Sequence, residues 1–193
     1  GPRYSADTDA GERLILPYLR HRGIGRLDGL IVSHLDSDHS GGAASILRAI
    51  AVDRVISSIA PEHSMLGARA HVERCAAGMQ WSSGSLTFAV LHPAPVDYEA
   101  KRTTNAMSCV VLITFGATRV LLTGDVTLPD ESALLARTPA VRVNWLAVPH
   151  HGSRSSSSGL VLTLSQSREP VSIAVILASR PPWLWPMITM SRS

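Results

Sequence analysis

The sequence predicts an α/β fold, because helical and strand-like segments alternate along the chain. Polar residues also follow three separate strand-like runs, and α/β proteins place their chemistry at such strand ends. The expected helical segments are residues 11–25, 41–50 and 128–137. The strand-like runs are residues 28–33, 53–58, 85–93, 108–115, 118–125, 145–149 and 171–178.

The first half of the chain predicts two helices and two strands, of which DRVISS is the second strand. GERLILPYLRHRGIG has helical spacing of its apolar residues, and Gly23 is expected to end that helix. DGLIVS is a strand-like apolar run. GGAASILRAI follows as a helix, and the absence of a Cβ at Gly41 and Gly42 would let its first turn approach another part of the backbone closely.

The second half is richer in strands. SLTFAVLHP, SCVVLITF and TRVLLTGD are strand-like, and Gly116 with Ala117 forms a turn between the last two. LPDESALLAR predicts a helix with Pro129 in its first turn, where the missing N–H is tolerated. WLAVP and VSIAVILA predict the last two strands.

Composition fits one globular domain of 193 residues, 45% of them hydrophobic. The net charge of +3 comes mainly from arginines, and it indicates a polyanionic partner only weakly. The apolar run at 171–178 is far shorter than the ~20 residues of a membrane span.

Cys75 and Cys109 form no CxxC pair, so neither a zinc ribbon nor a disulfide framework is expected. Cys109 is expected to be a small buried apolar residue.

Three strand-like runs end in residue types that can bind metals. DGLIVS leads into His34, Asp36, Asp38 and His39, RVLLTG leads into Asp125, and WLAVP leads into His150 and His151. One such cluster alone could be a turn rich in Asx caps, but its repetition at three strand ends favours a metal site. Nitrogen and oxygen donors without thiolates suit Zn, Mn or Fe, and the many carboxylates favour Mn.

The motifs HLDSDHSGG, TGD and PHHGS, in that order, resemble the metallo-β-lactamase fold superfamily. More narrowly, SHLDSDHSGG, NAMSC, LLTGD and VPHHGSRSSS resemble the nuclease-like C-terminal domain of ComEC competence proteins, which import DNA across the bacterial inner membrane. The resemblance covers residues 1 to about 160. It implies a four-layer αβ/βα sandwich, incomplete at the N-terminus, with a divalent metal site at one edge.

The resemblance also implies roles for individual residues. His34 and Asp36 would bind one metal position, Asp38 and His39 a second, Asp125 would bridge them, and His151, with His150 as second choice, would be the late ligand. Asp36 stands where a histidine is usual, so one tightly held ion is as compatible as two. The metal would be Mn or Zn.

Further residues are implied to act on water or substrate. Asp38 and His151 are the expected catalytic residues. Asn105 and Ser108 stand where many members have a histidine, and they are expected to orient water or a substrate oxygen. Ser153 and Arg154 are expected to hold a phosphate oxygen.

Two departures from the family limit the expected domain to residues 1–165. Gly1 and Pro2 resemble the remnant of a DxGP-like turn, which indicates missing opening strands. Residues 166–193 contain no histidine where the family continues to a GHP-type motif. This divergent tail, with one strand-like run, is expected to be poorly integrated, and the chain itself is expected to be weakly active or inactive.

The function expected from these residues is metal-dependent hydrolysis of DNA phosphodiesters during DNA uptake, with DNA bound through its phosphates. By resemblance, the parent protein would be an inner-membrane channel and this domain would be extracytoplasmic. Three alternatives stay open. They are a small-molecule metallohydrolase with an enclosed apolar pocket lined by Trp81 or Trp145, a non-catalytic module that guides DNA, and an enzyme that has lost activity.

Overall fold

The computed structural model describes residues 1–63, 66, 72–139, 141–153 and 156, and the backbone of 172–174. These residues fall into two compact units, Gly1–Cys75 and Ala76–Ser193, hereafter unit 1 and unit 2. Within the described part, no helix is both long enough and apolar enough to cross a bilayer.

Unit 1 is built on a parallel sheet in the order β4-β6-β7, with a second parallel pair, β3-β5, and an antiparallel pair, β1-β2. Its core contains Val32, Ala43, Val55, Ile59 and Leu66. The elements are β1 (Arg3–Ser5), β2 (Thr8–Asp9), a π-helical turn (Gly11–Ile15), α1 (Leu16–His21), β3 (Arg26–Leu27), β4 (Leu30–Val32), α2 (Ser37–Ser40), α3 (Ala43–Ala49), β5 (Ala51–Val52), β6 (Val55–Ser57) and β7 (Val72–Arg74).

The first predicted helix is present, and a buried carboxylate fixes its start. Asp9 accepts hydrogen bonds from the Glu12 backbone N–H at 2.9 Å and from the Ser45 hydroxyl at 2.6 Å. Burial alone would raise the pKa of Asp9, but the hydrogen bonds from Ser45, Glu12 and Gly11 outweigh it and lower that pKa. Asp9 therefore links the start of the helical segment to Ser45 of α3. The segment ends before Gly23, whose φ of +67° favours glycine.

Two glycines bring the backbones of this segment and of α3 together. A Cβ at Gly42 would lie 2.5 Å from the Gly11 nitrogen, and one at Gly11 would lie 2.2 Å from the Gly42 carbonyl oxygen. Both neighbours are backbone atoms, which cannot rotate away. The predicted close approach at Gly42 is confirmed, and it sets where α3 starts relative to the ligand-bearing loop before it.

Gly42→Ala should therefore destabilise the protein by about 1–3 kcal/mol, the usual penalty for an added group in a packed site. Gly25→Ala is the matched control, because no atom lies within 4 Å of a Cβ there and its φ is not positive. Urea denaturation of both variants measures the effect. Equal free energies of unfolding for the two variants would contradict the close approach.

Unit 2 is built on a six-stranded sheet in the order β13-β12-β11-β10-β9-β8. Strands β8 to β11 are antiparallel, whereas β11, β12 and β13 run parallel. The elements are β8 (Gln80–Ser83), β9 (Leu86–His92), 3₁₀ turns at Pro95–Glu99 and Asn105–Met107, β10 (Val110–Phe115), β11 (Thr118–Leu122), α4 (Leu128–Arg137), β12 (Trp145–Ala147), a 3₁₀ turn at Pro149–Gly152 and β13 (Ser172–Ala174).

The core of unit 2 forms where α4 covers the sheet. Leu134 of α4 packs in one cluster with Val110 and Leu112 of β10, Leu121 of β11 and Leu146 of β12. These are inward positions of the strands predicted from their apolar runs, and α4 has the bounds expected for LPDESALLAR. The core thus holds together the strands whose ends carry Asp125, His150 and His151.

The tail is described only in part. Ser172–Ala174 pairs with Trp145–Ala147 of β12, so the predicted last strand is present and these three residues belong to the sheet. The remainder of 166–193, including RPPWLWPM, lies outside the described residues.

The two cysteines correct an expectation. Cys109 is buried, as predicted, but Cys75 and Cys109 are both disulfide-bonded and neither is a free thiol. The expectation of no disulfide was wrong. The spacing of cysteines along a chain does not report the distance between their Cα atoms, which decides whether a bond can form.

Candidate metal centre

The ligand-bearing loop of unit 1 starts from a firmly held strand end. The Ser57 hydroxyl donates to the Val32 carbonyl and the Ser58 hydroxyl donates to the Ser33 carbonyl, both at 2.8 Å. The bond from Ser58 extends the contact of β4 with β6 by one residue beyond the last pair, Val32 with Ser57. The positions of the next side chains, beginning with His34, are therefore set by the sheet.

Two imidazoles of this loop lie against each other and share one hydroxyl. His34 is fully buried, and its ring centroid is 4.2 Å from that of His39. Ser33 Oγ lies 3.0 Å from His34 Nδ1 and 3.3 Å from His39 Nδ1. Ser33 was not among the predicted site residues, since a serine beside a histidine carries no recognisable signal by itself.

The carboxylates of the loop face the opposite nitrogens of these rings. Asp36 Oδ2 is 3.8 Å from His34 Nε2, and Asp38 Oδ2 is 3.5 Å from His39 Nε2. Both distances exceed a normal hydrogen bond. They are close to the roughly 3.4 Å that separates two ligands bound tetrahedrally to one ion at about 2.0–2.2 Å.

The structure differs from the predicted loop in one respect, because Ser37–Ser40 forms the short helix α2. Asp36 is its N-cap residue, yet its side chain makes no capping hydrogen bond. The Ser40 hydroxyl instead donates to the Asp36 and Leu35 carbonyls. The carboxylate of Asp36 is thus not engaged in capping α2.

In unit 2, the predicted ligand Asp125 follows β11 and is 3% exposed. Its backbone N–H donates to Ser108 Oγ at 3.0 Å, and Ser108 is fully buried. Ser108 therefore holds the backbone of Asp125, a contact that the sequence did not indicate.

His150 and His151 approach Asp125 from an unusual backbone. Their φ values are +46° and +53°, a region that residues other than glycine rarely adopt. His150 N–H also donates to the Gly124 carbonyl at 3.1 Å. His150 Nε2 lies 3.8 Å from Asp125 Oδ2, and His151 Nε2 lies 3.7 Å from Asp125 Oδ1.

The sequence favoured His151 over His150, but within unit 2 each imidazole faces one oxygen of Asp125 at nearly the same distance. Strained backbone at two adjacent residues persists only where the surroundings fix it, and it is common at functional sites. The loop PHHG is thus shaped to present two imidazoles to one carboxylate.

The comparison with known protein families agrees with this pattern of ligands. Residues 5–173 match the metallo-β-lactamase superfamily. The chain belongs to that superfamily. The resemblance and the α/β class predicted from the sequence are thereby confirmed, and membership implies binding of a divalent metal ion.

Similar curated proteins act in competence or recombination, according to their names. The chain is 40% identical over 173 residues to "Recombination protein 2" of Haemophilus influenzae, covering 89% of this chain and 20% of that protein. It is 33% identical over 155 residues to "Competence protein ComA" of Neisseria gonorrhoeae, covering 79% of this chain and 21% of that protein. It is 31% identical over 156 residues to "ComE operon protein 3" of Bacillus subtilis, covering 76% of this chain and 20% of that protein. The chain thus spans about a fifth of the length of these relatives.

Asn105, which is expected to orient water or a substrate oxygen, begins the 3₁₀ turn Asn105–Met107. Asn105 Oδ1 is buried and accepts no hydrogen bond from the described residues. His92 holds this turn in place, because its Nε2–H donates to the Ala106 carbonyl at 2.8 Å. Burial lowers the pKa of His92 although the bond to Ala106 raises it, and the neutral ring can accept a hydrogen bond from Arg137 at Nδ1.

The predicted phosphate-binding pair is only partly described. Ser153 is half-buried, and its backbone N–H donates to the His150 carbonyl at 2.8 Å. Arg154 lies outside the described residues.

The donor set fits the divalent metal that the superfamily implies. It consists of imidazole nitrogens and carboxylate oxygens, which bind Zn, Mn and Fe. In each unit these atoms lie 3.5–3.8 Å apart, too far for direct hydrogen bonds.

Ser108→Ala should lower the free energy of unfolding by about 1–3 kcal/mol, because the buried Asp125 N–H loses this acceptor. Ser132→Ala is the control, since its exposed hydroxyl donates only to the Leu128 carbonyl of its own helix and its loss should cost about 0.5 kcal/mol or less. Urea denaturation in chelator measures both. A Ser108→Ala variant as stable as the control would show that the contact does not hold Asp125.

Proposed function

We propose that this domain is a metal-dependent phosphodiester hydrolase that cuts DNA without sequence preference during DNA uptake. The observation that carries the proposal is the arrangement of imidazoles facing carboxylates at strand ends in both units of a metallo-β-lactamase superfamily chain. The competence proteins among its relatives support DNA as the substrate.

The proposed centre would hold one or two ions, Mn or Zn. Asp38, His39, Asp125 and His151 each offer one ligand atom that could hold a metal ion. His34 and Asp36 would complete one position, Asp38 and His39 would serve the other, and Asp125 would bridge. His150, equally close to Asp125, is the alternative to His151.

These residues would hold a divalent ion, whose chemistry is to lower the pKa of a water molecule toward about 7 and to offset negative charge on the phosphate. Asp38 would orient the attacking water. His151 is the second proposed catalytic residue, and it would lie beside the phosphate that the water attacks. The water oxygen would form a bond to phosphorus, the bond from phosphorus to the leaving oxygen would break, and that oxygen would take up a proton.

The other polar residues would position the substrate. Ser153 and Arg154 would hold a non-bridging phosphate oxygen, and Arg154 suits this role because a guanidinium binds phosphate in a bidentate manner. Asn105 would orient water or a substrate oxygen, since its buried Oδ1 can accept a hydrogen bond. Ser108 would keep Asp125 in place through the backbone.

Two tryptophans argue against a small-molecule substrate. Trp81 stacks on Phe88 with ring centroids 4.9 Å apart, and Trp145 is 39% exposed. Neither arrangement resembles the lining of an enclosed apolar pocket, which a small-molecule hydrolase would need. A polymer bound through its phosphates needs no such pocket.

We further propose that the parent protein is an inner-membrane DNA channel and that this domain faces the extracytoplasmic side. The relatives extend well beyond the matched region, which leaves room for membrane segments in such a parent. The disulfide-bonded state of Cys75 and Cys109 supports the placement, because disulfides persist in oxidising compartments.

In a parent chain as long as its relatives, Asp38→Asn should reduce Mn-stimulated degradation of a labelled DNA strand by at least about a hundredfold, some 2.7 kcal/mol of transition-state stabilisation. The 193-residue chain itself is expected to be weakly active or inactive. The substitution keeps the shape of the side chain but removes a charge that the ion needs. Asp7→Asn, an exposed aspartate outside the proposed site, is the control and should retain full activity.

Chelator should abolish the activity of the unsubstituted protein, and Mn should restore it. Activity that is indifferent to both chelation and Asp38→Asn would contradict the proposal. In that case DNA binding that persists in chelator and weakens with salt would indicate a module that guides DNA without cutting it.

A further inference from the structure

We propose that Ser33 is a positioning residue that holds His34 and His39 in the tautomer that binds metal through Nε2. The inference rests on the proposed function, because it concerns how two of the proposed ligands are prepared for the ion. It assigns a role to a side chain that lies outside the set of ligands.

The geometry places one hydroxyl between two rings. Ser33 Oγ lies 3.0 Å from His34 Nδ1 and 3.3 Å from His39 Nδ1. A hydroxyl oxygen has two lone pairs and can accept two hydrogen bonds at once. Ser33 can therefore accept from Nδ1–H of both rings, which leaves Nε2 of both rings with a lone pair.

The alternative tautomer would predict a different contact. If Ser33 donated its hydrogen to one Nδ1, that neutral ring would carry its proton on Nε2 and would point an N–H toward the facing carboxylate. Such hydrogen bonds have lengths of about 2.7–3.2 Å. The distances from Nε2 are 3.8 Å to Asp36 and 3.5 Å to Asp38, so neither contact is that bond.

The position of Ser33 is fixed independently of the rings. Its carbonyl accepts the Ser58 hydroxyl at 2.8 Å, and the preceding residue, Val32, pairs with Ser57 in the parallel sheet. Half-burial of Ser33 limits competition from water for its hydroxyl. The sheet thus supplies a fixed acceptor for both Nδ1–H groups before any ion binds.

Metal-binding histidines usually donate their second ring N–H to such a partner, and loss of the partner typically costs 10–100-fold in metal affinity. A single serine that serves two histidines should show an effect within that range. Ser33→Ala should therefore weaken Mn or Zn binding by about 10–100-fold, whereas Ser33→Thr, which keeps the hydroxyl, should bind close to normally.

The test combines two measurements on each variant. Long-range ¹H–¹⁵N correlation spectra of histidine-labelled, metal-free protein, at a pH where both imidazoles are neutral, report which ring nitrogen carries the proton. Calorimetric titration with Mn or Zn reports affinity. Ser132→Ala is the matched control, because it removes an exposed hydroxyl that donates to the Leu128 carbonyl of its own helix and contacts neither Ser33 nor the rings.

The expected result is Nδ1–H for both rings in the unsubstituted protein, in Ser33→Thr and in Ser132→Ala, and a gain of Nε2–H in Ser33→Ala together with weaker metal binding. Nε2–H rings in the unsubstituted protein, or tautomers unchanged by Ser33→Ala, would overturn the role of Ser33. If the tautomers change as expected but no variant binds metal, the metal-centre proposal fails, and so does the purpose assigned to Ser33, while the hydrogen bonds themselves are verified.

Discussion

Burying a carboxylate is unfavourable unless something compensates its charge, and the site in unit 2 is organised around such a carboxylate. Asp125 is 3% exposed and has one imidazole opposite each of its oxygens, at 3.7 and 3.8 Å. The separations are too long for hydrogen bonds, whereas a cation between these atoms would satisfy all of them. The left-handed backbone of His150 and His151 is the local cost of this arrangement.

Unit 1 presents its ligands by another route. Its carboxylates, Asp36 and Asp38, are half-buried and lie on or next to a four-residue helix, while the imidazoles are held more firmly. Serine hydroxyls bind the end of β4 to β6, and Ser33 reaches both rings. The close packing of Gly42 on Gly11 then sets where the chain turns into α3. The fold thus holds the nitrogen donors more firmly than the oxygen donors.

Much of this organisation could be predicted from the sequence, because long apolar runs and a proline in the first turn of a helix are strong local signals. The strands β9, β10 and β11 and the helix α4 lie within the predicted segments, and the strand ends carry the expected ligands. Other features depend on contacts between distant residues, which local patterns do not encode. The bond from Asp125 to Ser108, the contact of Ser33 with His39 and the disulfide-bonded cysteines belong to this class.

The left-handed histidines were missed for a related reason. The only signal was Gly152, which follows them, and one glycine does not show that the two residues before it share its conformation. The helix α2 was missed because four residues without a capping hydrogen bond resemble a loop. The likeness to a family indicated the ligands, but it did not indicate what holds them.

The most direct test of the account is the amount of metal bound per chain, measured by mass spectrometry for the unsubstituted protein, Asp38→Asn, Asp125→Asn and the double variant. If Asp38 and Asp125 are metal ligands as proposed, each single substitution should remove most of the bound metal and the double variant should retain none, because an ion that loses a carboxylate ligand is held far less tightly. Metal content that stays at the level of the unsubstituted protein in both single variants would contradict the account.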